Sequence, residues 1–143
     1  MTTFHELLID LHACRPAIYW AGDKTIEQVI AECRRGDWML WLAKRVNIGL
    51  QPLTLAKGHC AATVLHLMKD ERSRKAVQAA IDFGEGKITK AELAAAYVAA
   101  AAASVAAYAD AAAAGTKNKL ATADICRKYI GQLIIDKVNE LLK

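Results

Sequence analysis

The residues best equipped for chemistry in this 143-residue chain are its four cysteines and four histidines. His5 and His12 are seven apart, as are His59 and His66, so each pair can share a helix face. Seven residues separate side chains by about 10 Å along a helix axis. A single metal ion needs ligands on adjacent turns, each about 2.0–2.3 Å away. The spacing therefore predicts no metal site, and Cys60 beside His59 falls on a different face. A Cys–His nucleophile needs its thiolate within hydrogen-bond reach of the base. Cys14 lies two residues from His12 and Cys60 next to His59, yet neither sits in the sequence setting of a catalytic elbow. Cys14, Cys33, Cys60 and Cys126 are widely spaced without a Cys-x-x-Cys, so they read as reduced, buried small hydrophobes. Gly84-Glu85-Gly86 is a turn, with an acid where a phosphate loop would hold its phosphate. Paired carboxylates are absent from the apolar segments. These residues predict a protein that is not an enzyme and that uses no cofactor and no metal.

The segment Cys33-Arg34-Arg35-Gly36-Asp37-Trp38-Met39-Leu40-Trp41-Leu42-Ala43-Lys44-Arg45 holds two of the three tryptophans in an apolar run fenced by charges. Gly36-Asp37 reads as a helix start, with Asp37 as an N-cap accepting a backbone N–H and facing the positive end of the helix dipole. Trp38 and Trp41 could make an aromatic platform, with Arg45 stacked one turn after Trp41. A run that is apolar on every side predicts instead that both pack in the core, with Arg45 covering the rim, in a domain built round this helix.

The length fits one domain, 1–143, able to bury roughly two thirds of its extended surface. Apolar content of 55% with 24% charged residues is globular rather than disordered. The net charge of +4 is mild, and each basic cluster has acids close by. Lys69, Arg72, Arg74 and Lys75 flank Asp70 and Glu71, which reads as a solvated junction and argues against a nucleic-acid surface. Glu6 and Asp10 interrupt the apolar stretch at the N-terminus, so no signal peptide is read there and a cytoplasmic location is expected. Leu93 to Ala109 carries no formal charge, but 17 mostly alanine residues span about 26 Å, short of the about 20 residues a membrane crossing needs.

Helix punctuation divides the chain. Thr3-x-x-Glu6 and Thr25-x-x-Gln28 are capping boxes opening a first and a third helix. Pro16 fits the first turn of a second, ending at Gly22. Gly49 should close the helix that Gly36-Asp37 opens, and Pro52 should begin a fifth running to Met68. A sixth spans Ala76 to Phe83. Thr89-Lys90-Ala91-Glu92 caps a seventh, Ala91 to Ala114, in which sixteen of twenty-four residues are alanine. Its large residues Leu93, Tyr97, Val105 and Tyr108 form one stripe, and its bare faces could let a second copy dock as a homo-oligomer. Thr116 to Lys143 reads as a last helix with Cys126, Ile130, Leu133, Ile134, Val138 and Leu141 inward. With no period-two run long enough for a strand, the expected fold is all-α, a bundle of six to eight helices.

At these blocks the chain resembles a family of helical immunity proteins of bacterial toxin systems, common in bacterial and phage genomes. Ala13-Cys14-Arg15-Pro16-Ala17-Ile18-Tyr19-Trp20 is similar to the family's opening pattern, and Cys33 to Leu42 to its most distinctive block. His59-Cys60-Ala61, the alanine and tyrosine run, and Ala123-Asp124-Ile125-Cys126-Arg127-Lys128 resemble its later blocks. The chain departs from the pattern in the basic stretch Lys69 to Lys75 and in a longer apolar C-terminal helix. The resemblance implies a non-catalytic protein that neutralises a partner toxin or effector by binding it. With a pI of about 8.9, a basic nuclease is not the natural target, because its inhibitors match it with acidic surfaces. The expected binding residues are Arg34, Arg35, Lys44 and Arg45. The alternative is a phage accessory or anti-defence protein that binds a host factor or small signalling molecule.

Overall fold

The computed structural model describes residues 3–100 and 115–143. Among them are eight α-helices and one 3-10 turn, with no strand: α1 Phe4–Asp10, α2 Arg15–Ala21, α3 Ile26–Glu32, α4 Gly36–Arg45, α5 Leu50–Ala62, the 3-10 turn Leu65–Leu67, α6 Glu71–Gly84, α7 Lys90–Ala100 and α8 Gly115–Leu141. The all-α expectation holds. Val105 and Tyr108, with the rest of the alanine tract from 101 to 114, lie outside the described residues. On α7, Leu93 is buried while Tyr97 and Val98 are exposed, so of the two described residues of the expected stripe only Leu93 is buried.

The local caps form as the residue types dictate. Thr3 and Thr25 each accept a backbone N–H from their N3 residues, Glu6 and Gln28, whose side chains accept in return from the cap N–H. Thr89 and Glu92 exchange the same bonds ahead of α7. Asp70 caps α6 by accepting from Arg72 N–H at 2.7 Å, so this helix opens at Glu71 rather than Ala76, and Arg72, Arg74 and Lys75 of the basic stretch lie within it.

Other boundaries differ from the sequence reading. Helix α4 stops at Arg45, not Gly49, because Asn47 takes the left-handed backbone (φ 62) and Ile48 N–H reaches back to Ala43 C=O. Helix α5 stops at Ala62 rather than running to Met68. There the Thr63 hydroxyl donates to the Cys60 carbonyl at 2.6 Å, a side-chain bond that competes with the helix ladder, and the chain continues as the 3-10 turn.

The spine of the fold is α8, not α4. Ala123, Cys126, Ile130, Ile134 and Val138 are each 0% exposed, a stripe of small and branched residues repeating about every turn. It packs on α3, α4 and α5, while α5, α6 and α7 pack in succession and α1 lies on α2. Leu133 and Leu141, expected inward, are exposed because they fall off this stripe. A smaller apolar cluster of Val64, Met68 and Val77 sits under the α5–α6 side.

Close backbone approach sets how the helices meet. Gly36 is buried in the first turn of α4, and a Cβ there would come within 2.6 Å of the Thr122 backbone carbon on α8. Gly84 meets Leu55 in the same way, since a Cβ there would lie 2.7 Å from the Leu55 Cα, and it fixes the α5–α6 contact. Neither position has room for a side chain without separating the helices.

Candidate functional site, a tryptophan-lined pocket on α4

Three of the sequence blocks singled out above, around Gly36, Cys60 and Cys126, meet in one place. Cys126 Sγ lies 3.7 Å from the Gly36 carbonyl and 3.8 Å from Cys60 Sγ, itself 3.8 Å from the Thr122 carbonyl. The Arg127 guanidinium, one residue on, donates to the carbonyls of Ile30 and Cys33, the latter at 3.1 Å, and to Asp124 at 2.9 Å. It thus satisfies carbonyls at the C-terminal end of α3 that have no partner within the helix. His59 stacks on Tyr129, rings 4.5 Å apart and 5° from parallel. This junction is a structural core. Cys33, Cys60 and Cys126 are buried thiols, as expected, whereas Cys14 is exposed. The hydrogen bond with Cys60, followed by burial, pushes the Cys126 thiol up, and burial pushes Cys33 up.

The histidines do not pair. His5 lies on α1, where its Nδ1 is 3.2 Å from the Gly22 carbonyl, and His12 sits beyond that helix with φ 61. His59 lies on α5 but His66 lies in the 3-10 turn. Among the described residues, no three His, Cys, Asp or Glu side chains gather into a group able to hold a metal ion.

The opposite side of α4 is built differently. A pocket of about 250 Å³ opens between α1, α2, α3 and α4, lined by Trp20, Trp38, Trp41, Cys14, Cys33 and Asp37 among mainly apolar neighbours. Met39, Leu42 and Ala43 of α4 are buried, but Trp38 and Trp41 are only half-buried. The expectation that Trp41 belongs to the core is therefore corrected: both rings pack against the core on one side and line the pocket. The reason lies in the junction, where Gly36 and Thr122 bring α4 so close to α8 that only its smaller side chains fit between them.

Each tryptophan carries a cation. Arg35 lies 4.4 Å from the Trp38 ring centroid, Lys24 5.1 Å from that of Trp20, and Arg45 5.3 Å from that of Trp41. Trp20 and Trp38 contact each other, centroids 6.1 Å apart and tilted by 53°. The Lys24 ammonium also donates to the Trp20 carbonyl at 3.1 Å. The sequence singled out Arg45 on Trp41; it missed Trp20 and Lys24, because α2 meets α4 only through the tertiary fold.

Asp37 is not the N-cap of α4. Arg35 holds that position with an extended backbone and no side-chain cap bond. Asp37 lies in the first turn, near the positive end of the dipole, and accepts from Arg35 Nε at 3.2 Å and Nη2 at 2.7 Å. Burial raises its pKa, but the Arg35 hydrogen bond, the Arg35 charge and Lys119 outweigh that and hold the carboxyl below its usual value. Of the four expected binding residues, Arg34 and Arg35 lie before α4, and Lys44 and Arg45 lie in its last turn. The two pairs are about 15 Å apart along the axis, so the structure does not bring them together as one cluster. Arg35 and Arg45 instead hold the two tryptophans between them.

No helix among the described residues is long and apolar enough to cross a membrane. No protein-family model matches the chain, and neither a curated protein nor a solved structure matches it.

Proposed function

We propose that this chain is a non-catalytic binding protein that neutralises a partner toxin or effector by direct contact, as the family resemblance implies. The observation that carries the reading is the outer side of α4, where Trp38 and Trp41 are half-buried with arginines stacked on them. Tryptophan and arginine are enriched at protein interfaces and dominate their binding energy. The inner side of the helix is locked against α8, so the aromatic surface is ordered before a partner arrives, which lowers the entropy lost on binding. Arg34 and Lys44 are exposed at its two ends and add the positive charge that steers an encounter. The second reading, a small-molecule binder, draws on the same pocket. At about 250 Å³ that pocket falls below the roughly 300–1,000 Å³ of sites that enclose small molecules, so it ranks second.

The test is co-expression with candidate toxins, including any encoded beside this gene, read as rescue of growth and as co-purification. Charge reversal of Arg34 and Lys44 should weaken binding mainly through the association rate and its salt dependence and leave the fold intact, since these side chains act at long range. If no toxin is rescued while a nucleotide or metabolite co-purifies, the small-molecule reading replaces this one.

A further inference from the structure

We infer that the tryptophan pocket is a socket for one aromatic side chain presented by an acidic segment of the partner protein. The inference rests on the protein-binding reading above and specifies the chemistry the partner must bring.

Size, lining and charge each point the same way. A space of about 250 Å³ suits a single large side chain, the buried anchor around which interface energy concentrates. The lining selects a ring. Trp20, Trp38 and Trp41 offer faces and edges for tilted or offset aromatic contact. Cys14, Cys33 and Met39 bring three sulfur-bearing side chains to the same wall, and sulfur next to an aromatic ring is favourable.

The surroundings select acids. Lys24, Arg35 and Arg45 each lie on a tryptophan of the lining, within 5.3 Å of its ring centroid. Asp37 is the one acid among the lining residues, and its carboxylate is already bonded to Arg35. An apolar hollow whose tryptophans carry Lys24 and Arg45, with Arg35 already paired to the lining acid Asp37, complements a ring flanked by carboxylates. It disfavours a ring flanked by lysines, since like charges at an interface are strongly unfavourable.

The experiment uses the whole protein and the blocked pentapeptide Asp-Glu-Phe-Glu-Asp, followed by tryptophan emission. Phenylalanine adds no emission of its own, so the signal belongs to the protein. Saturable binding is expected. Replacing the central Phe by Ala should weaken it at least tenfold, and replacing the four acids by lysines at least fivefold. Ala17→Leu, which fills the pocket from α2, should weaken it at least tenfold without lowering the melting temperature. If that variant does not fold, Ala13→Val fills the same wall and should act the same way.

No saturation, equal binding of the Ala peptide, or full binding by the filled variant would each overturn the socket. So would N-acetylphenylalanine amide binding as tightly as the peptide, which would make this a small-molecule site. A dimer seen by light scattering that the peptide dissociates would assign the pocket to a second copy, and overturn it too. The two proposals fail separately. Peptide binding as expected with no toxin neutralised leaves the socket and removes the immunity reading. Neutralisation unaffected by Ala17→Leu does the reverse.

Discussion

Helix α4 has two sides that are packed by opposite rules. Toward α8 the contact is made by Gly36 against Thr122 and Cys126, with the backbones close and the Cys126 thiol 3.7 Å from the Gly36 carbonyl. Toward α1 and α2 the large rings of Trp38 and Trp41 stop half-buried, cations sit on them, and a pocket stays open. The contrast teaches that a run apolar on every side need not bury its largest members. Size decides the side. Gly36, with no side chain, makes the close approach to α8, and the rings of Trp38 and Trp41, too large for it, line the pocket instead.

The largest test of that contrast is a core deletion at the junction. Ile130 is 0% exposed on α8, so Ile130→Ala should cost about 4 kcal/mol, the range for a fully buried branched side chain. Chemical denaturation measures it, and a loss below about 1 kcal/mol would mean α8 is not the spine. Next comes overpacking. Gly36→Val should cost about 3 kcal/mol, because a Cβ would meet Thr122 at 2.6 Å or less. A tolerated valine would show that α4 and α8 can separate freely.

Trp41→Ala follows. A fully buried tryptophan costs about 3–5 kcal/mol to truncate; half-buried Trp41 should cost about 2 kcal/mol by the same scale. A cost equal to that of Ile130→Ala would erase the difference between the two sides.

The smallest effect belongs to Asp37. Its pairing with Arg35 is a surface contact, with side chains 36% and 52% exposed, so Asp37→Asn should cost less than about 1 kcal/mol at pH 7. The sign with pH follows from its lowered pKa. The contribution is fully present above the unfolded value, about pH 4, and disappears as pH falls through the lower folded value. Wild type and Asp37→Asn should therefore differ at pH 7 and converge in acid, once the pH has fallen below the lowered folded value. Glu27, lowered chiefly by its hydrogen bond from Asn139 at 2.8 Å, has the same sign and ties α3 to the end of α8. Urea melts at the two pH values read the effect; a gap that widens in acid would contradict it.

What could be read from residues alone follows range. The caps at Thr3, Thr25 and Thr89 were legible because each is a bond across three residues. The end of α4 was not, because Asn47 rather than Gly49 took the left-handed turn. Periodicity placed Cys126, Ile130, Ile134 and Val138 inward but could not tell that Leu133 and Leu141 fall outside the contact with α3, α4 and α5. Arg127 bonding the carbonyl of Cys33, 94 residues away, has no local signal. The pocket is the same case: the stacking of Arg45 on Trp41 is one helical turn and was readable, whereas the meeting of Trp20 with Trp38 needs α2 and α4 to be brought together.

If, as proposed, one side of α4 is structural and the other serves recognition, mutation can separate the two duties. The direct measurement is a paired determination, on Trp38→Leu and Ile130→Val, of unfolding free energy and of affinity for the acidic Phe pentapeptide. Trp38→Leu should lose at least tenfold in affinity while keeping most of its stability. Ile130→Val should lose about 1 kcal/mol of stability and bind the peptide as wild type does. Affinities that fall in both variants in proportion to stability, or in neither, would contradict that separation.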